Sequence, residues 1–78
     1  MKIKVEVNED EHVEEHVEYL IQSIDHRFGI EASVDSDNTV EIELNIDFKN
    51  AGIFLHWLED GSEADEAKVK KITVIQEI

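Results

Sequence analysis

The stretch from Asn8 to Gly29, NEDEHVEEHVEYLIQSIDHRFG, constrains the fold of this chain more than any other. Its apolar residues Val13, Val17, Leu20, Ile21, Ile24 and Phe28 recur at the i, i+3, i+4 and i+7 offsets of one helical face. The spacing predicts a helix over about residues 9–28. Asn8 suits the N-cap, because its side-chain oxygen can accept an orphan backbone N–H, and Glu11 three residues on completes a capping-box pattern. Glu9, Asp10 and Glu11 set negative charge against the positive end of the helix dipole, and His26 and Arg27 do the converse at the other end. Gly29 supplies the left-handed residue that stops the helix. A helix with one apolar stripe has to bury it, so the rest of the chain must offer a matching apolar surface.

That surface is written in a two-residue period. In Lys2–Val7, Ile3, Val5 and Val7 point one way and Lys2, Lys4 and Glu6 the other, which describes a strand with one buried face. Residues 30–35 alternate again, with Ile30, Ala32 and Val34 inward. Ser36, Asp37 and Asn38 are turn formers. Residues 39–46 alternate most clearly, with Val40, Ile42, Leu44 and Ile46 inward and Thr39, Glu41, Glu43 and Asn45 outward, so the two runs form a β-hairpin. Asp47 is placed as the N-cap of a second helix over residues 48–60, with a main stripe of Phe48, Ala51, Leu55 and Leu58 that Phe54 widens. Gly61 ends that helix, and Gly52 inside it, at a cost of about 1 kcal/mol relative to Ala, points to close packing. Ser62 with Asp65 can open one more helical turn before a last strand over residues 70–76, which runs through Ile72, Val74 and Ile75.

The order β-α-β-β-α-β in 78 residues is one α+β domain. Right-handed crossovers then put both helices on one face of a four-stranded antiparallel sheet of order 4-1-3-2. In that order Lys2 and Lys4 meet Glu41 and Glu43 across the open face, and Lys70 or Lys71 flanks the first strand on its other side. The pattern resembles the ferredoxin-like superfold over the whole chain, as topology only, and that fold hosts many unrelated functions. Three of its functional families are not matched. An RNA-recognition motif needs aromatic residues on the open strands, where this chain has Lys2, Lys4, Thr39, Glu41 and Glu43. A heavy-metal-associated domain needs a C-x-x-C pair, and there is no cysteine. An acylphosphatase needs an anion-cradling loop after the first strand, where Asn8-Glu9-Asp10 would repel phosphate.

Charge bounds the partners. Twenty Asp and Glu against seven Lys and Arg give −13, and between Val5 and Phe48 the only Lys or Arg is Arg27. Such a surface repels nucleic acid and anionic membranes and attracts a basic protein, or keeps the chain in solution. No apolar run reaches the ~18 residues of a membrane span, the N-terminal apolar part is too short for a signal peptide, and a soluble protein of cytoplasmic type is expected.

Few residues offer chemistry. His12 and His16, one turn apart with Glu15 beside them, could chelate a divalent metal, but zinc takes three or four protein ligands and H-V-E-E-H lacks the glutamate position of a zincin. The simpler reading is a row of amphipathic residues, His12, His16, Tyr19 and Ser23, covering the edge of the apolar stripe. His26 and Tyr19 have no partner that makes an acid or base of either, His56 is most simply a solvent-facing residue of the second helix, and no catalytic set is expected. Ile53 and Trp57, one turn apart, either form an apolar patch for a partner or a homodimer, or belong to a broad stripe facing the first helix. Strict patterning, charge-biased helix ends, Lys-against-Glu strands and the absence of Cys and Pro resemble a computationally designed or redesigned ferredoxin-like protein. The resemblance implies a scaffold with no natural activity and no cofactor, although Gly52, the four histidines and the irregular 62–67 link depart from an idealised design. The other reading is a natural acidic binding module, similar in size and charge to phage-type inhibitors that mimic nucleic acid, which would work through Glu11, Glu14, Glu15 and Glu18.

Overall fold

A computed structural model describes residues 1–35, 38–44 and 51–75. Its elements are β1 (Lys2–Val7), α1 (Val13–Phe28), β2 (Ala32–Val34), β3 (Thr39–Glu43), α2 (Ala51–Asp60), α3 (Ser62–Glu66) and β4 (Val69–Ile75). The four strands form one antiparallel sheet in the order β2-β3-β1-β4, the ferredoxin-like arrangement expected from the sequence. The Asp47 cap, Phe48, Lys49, Ile46, the Ser36–Asp37 part of the turn and Gln76 lie outside the described residues.

Register gives each face of the sheet its chemistry. Lys2 pairs with Glu43 and Lys4 with Glu41 across β1 and β3, while Glu6 faces Lys71 of β4. Alternation therefore sends Ile3, Val5, Val7, Val40 and Ile42 to the opposite face, where all are buried beneath the helices. There α1 contributes Val17, Leu20 and Ile24, spaced three and four residues apart, and α2 contributes Phe54, Trp57 and Leu58. Phe28, at the end of α1, packs edge-on against Phe54 and Trp57, with ring centroids 4.9 and 5.4 Å away.

Several local expectations are corrected. α1 starts at Val13, and Asn8 does not cap it. The Asn8 backbone N–H is donated to the Lys68 carbonyl at 2.8 Å, which holds Asn8 beside β4. Asp10 makes the turn instead, its Oδ1 accepting the His12 N–H at 2.8 Å and its carbonyl the Val13 N–H at 3.2 Å. Gly29 does end α1 in the left-handed region, at φ 66°, its N–H donated to the Asp25 carbonyl. In α2 the deepest side chains are Phe54, Trp57 and Leu58, with Ala51 and Leu55 half-buried, so the stripe is rotated from the expected one. Gly52 is exposed, and a Cβ there would meet nothing within 4 Å, so close packing is not its reason. The 62–67 link is helical as α3, with Ala64 and Ala67 buried. Val34 and Val74 hold the inward phase yet remain 44% and 43% exposed, because they sit on the two edge strands where cover runs out.

Candidate functional site

The acidic outer side of α1 is the first place the sequence directs attention. Glu14, Glu15 and Glu18 are exposed there, and Glu11 is exposed in the turn just before the helix. Within the helix Glu14 and Glu18 stand four residues apart and Glu15 and Glu18 three apart, so like charges share neighbouring positions on one face. The open face of the sheet is built the other way, with the Lys4 ammonium 3.4 Å from the Glu41 carboxylate.

At the start of α1 the two histidines diverge. His16 Nε2 lies 3.1 and 3.2 Å from the two oxygens of Asp10. The rings of His12 and His16 stand edge-on with centroids 6.4 Å apart, and His12 turns toward Glu15, 3.5 Å away, and Glu11. His12, His16 and Glu15 thus do not converge, and among the described residues no group of three or more His, Asp and Glu is placed to hold a metal ion. Asp10 is the hub of this corner. The His12 backbone N–H, and then His16, hold its carboxyl below the ordinary value.

The second gathering of polar groups lies between α1 and α3. Tyr19 donates its hydroxyl to Glu66 Oε2 at 2.8 Å, and Arg27 donates to Glu63 Oε1 at 3.3 Å. The Glu66 carboxylate pushes the Tyr19 hydroxyl above its ordinary pKa. His26 and Ser23 line the shallow groove beside these bonds. Sequence reasoning had no partner for Tyr19, because Glu63 and Glu66 fall in the link whose helicity was only outlined. The signal was the S-x-x-D pattern of residues 62–65, which places both acids on a helical turn. The bond ties α3 to α1.

Ile53 and Trp57 do not share a surface. Trp57 is 7% exposed and Ile53 64%. The indole is packed among Phe28, Phe54 and Gly61, whereas Ile53 points away from the core. His56 meets Asp60, at 3.5 Å, on the exposed side of α2. No helix among the described residues is long and apolar enough to cross a membrane. Comparison with protein-family models, with curated proteins and with solved structures found no match.

Proposed function

We propose that this chain is a non-catalytic, acidic interaction module, and that Glu14, Glu15 and Glu18 on α1, with Glu11 in the turn before it, form its working surface for a basic protein partner. One observation supports the reading above others: the chain matches opposite charges across its sheet and leaves like charges as neighbours along α1. A surface shaped for stability alone would place Lys four residues after Glu on a helix, and each like-charge pair instead costs a few tenths of a kcal/mol. The partner is basic because three carboxylates on one helix side, with a fourth in the turn before it, attract cations and repel phosphates.

A lysine-rich peptide, titrated calorimetrically at about 20 mM and about 300 mM salt, tests this reading. Binding should weaken with salt. Neutralising α1 (Glu11→Gln, Glu14→Gln, Glu15→Gln, Glu18→Gln) should weaken it at least about tenfold, against about threefold or less for four neutralisations elsewhere (Glu31→Gln, Glu59→Gln, Asp60→Asn, Asp65→Asn). Equal losses in the two variants would reduce the effect to net charge and sink the proposal.

A second reading, the redesigned scaffold without biochemical activity, draws support from the paired open face. Lys2–Glu43, Lys4–Glu41 and Glu6–Lys71 each set opposite charges across strands. That reading expects no binding that depends on α1, and cooperative melting well above ~65 °C with little response to salt.

A further inference from the structure

We propose that β4 is a self-association edge: two copies pair this strand antiparallel about a two-fold axis and join their sheets into one. The inference does not rest on the α1 reading, since α1 packs on β1, β2 and β3, and the helices against β4 are α2 and α3.

The two edges of the sheet are unlike. β2 is three residues long and flanked by Glu31 and Asp35, a short, acidic edge of the kind that discourages pairing. β4 is seven residues long and carries two exposed apolar side chains, Val74 at 43% and Ile75 at 38%. Its pairing with β1 shifts between Glu6 and Val7, with Val7 opposite Val69 and Glu6 opposite Lys71, so Lys70 is the extra residue of a bulge. From Lys71 to Ile75 the strand is regular, and among the described residues no strand pairs with its other side.

Their sequence, KITVI, is self-complementary about Thr73. With Thr73 on the two-fold axis, Thr73 faces its copy, Ile72 faces Val74 of the second molecule, and Lys71 faces Ile75. Ile72 and Val74 both lie on the helix side of the sheet, because their β1 partners are the buried Val5 and Ile3. The second copy's Val74 is thereby set against Ile72, at the rim of a cavity of about 240 Å³ that Leu58, Ala64 and Val69 also line. On the open side the aliphatic stem of Lys71 covers Ile75. No like charges stand opposite one another in this register, and Thr–Thr and aliphatic pairs are favourable cross-strand neighbours.

Charge selects the same edge. Lys68, Lys70 and Lys71 are three of the chain's seven Lys and Arg, and all lie in or next to β4. Pairing through β4 joins the borders that carry these three lysines, with the acids Glu59 and Asp65 beside them. The remaining repulsion is between two bodies of net charge −13, so salt should tighten this contact, whereas it weakens binding of a basic partner to α1.

Sedimentation velocity between about 10 µM and about 1 mM, at about 20 and about 300 mM salt, is the test. A concentration-dependent dimer that strengthens with salt is expected. Val74→Lys, which introduces a charge opposite Ile72, and Ile75→Lys, which sets two ammonium groups face to face, should each weaken it at least about tenfold. Ile53→Lys, on the exposed side of α2, should leave it unchanged. Both β4 positions are partly exposed in the single chain, and circular dichroism of each variant establishes that the fold is kept. A monomer at every concentration and salt, a dimer indifferent to both β4 variants, or one lost through Ile53→Lys would overturn the proposal.

Discussion

Gly52 and Gly61 look alike in the sequence, as helix-disfavouring residues in and after α2, yet they meet opposite surroundings. Gly52 is exposed in α2 with open space where its Cβ would be. Gly61, at an ordinary φ of −70°, donates its N–H to the Trp57 carbonyl at 2.7 Å. A Cβ there would run into that carbonyl oxygen and come within 2.8 Å of Trp57 Cδ1. Gly52→Ala should therefore stabilise the domain by about 1 kcal/mol, by removing backbone freedom from the unfolded chain. Gly61→Ala should destabilise it by about 1–3 kcal/mol, because backbone must shift away from the indole. Urea midpoints of the two variants check both signs. The same limit governs Ile53 and Trp57. Helical spacing shows that two apolar residues are neighbours, but their burial depends on how α2 is rotated against α1, and a single helix does not carry that information.

At the scale of elements, what was legible followed periodicity, and what was not followed tertiary competition. The stripe of α1, its stop at Gly29, the alternation of the first three strands and the Lys-against-Glu register were readable from local spacing, whereas the phase of β4 was not, because Val74 and Ile75 are adjacent. The start of α1 was not, since the Asn8 N–H is claimed by Lys68, sixty positions away in sequence. The half-exposed Val34 and Val74 were not, since alternation fixes the face of a residue and only strand order fixes whether a helix covers it. Of the candidate site, the exposed acids of α1 were legible, whereas the bonds of Tyr19 and Arg27 to α3 needed the packing of two helices. The acids give α1 a measurable signature. Glu18→Lys turns the Glu14–Glu18 neighbour pair into an attraction with the glutamate on the N-terminal side, the favourable orientation. It should stabilise the domain by about 0.5 kcal/mol at low salt. A stability gain accompanied by weaker binding of the lysine-rich peptide would show function and stability opposed on this helix. No gain would mean that the like charges are already screened.

For the molecule as a whole, the dominant quantity is a net charge of −13 folded into a body with a radius of gyration of 11.6 Å. Compaction brings these charges together, so folding works against their repulsion, which protonation or salt relieves. At about 20 mM salt the melting temperature should rise as pH falls from about 8 toward about 5, and about 0.5 M sodium chloride at pH 8 should reproduce most of that rise. Two named groups add pH-linked contributions of their own. The Asp10 carboxyl is lowered in the fold by the His12 N–H and His16. Its contribution is therefore complete above the ordinary value of 3.8 and is lost as pH falls through the still lower folded value. The Tyr19 hydroxyl is raised by Glu66, so its contribution is complete below 10.0 and is lost as pH rises past that value toward the folded one. The Asp10-linked part of the stability is thus lost on the acid side below pH 3.8 and the Tyr19-linked part on the alkaline side above pH 10.0. Tyr19→Phe should remove the Tyr19-linked part of the alkaline loss and leave the acid side as it was. Melting curves across the full range decide the matter, because a melting temperature flat from pH 8 to 5 at low salt would mean that the acidic surface costs this fold nothing.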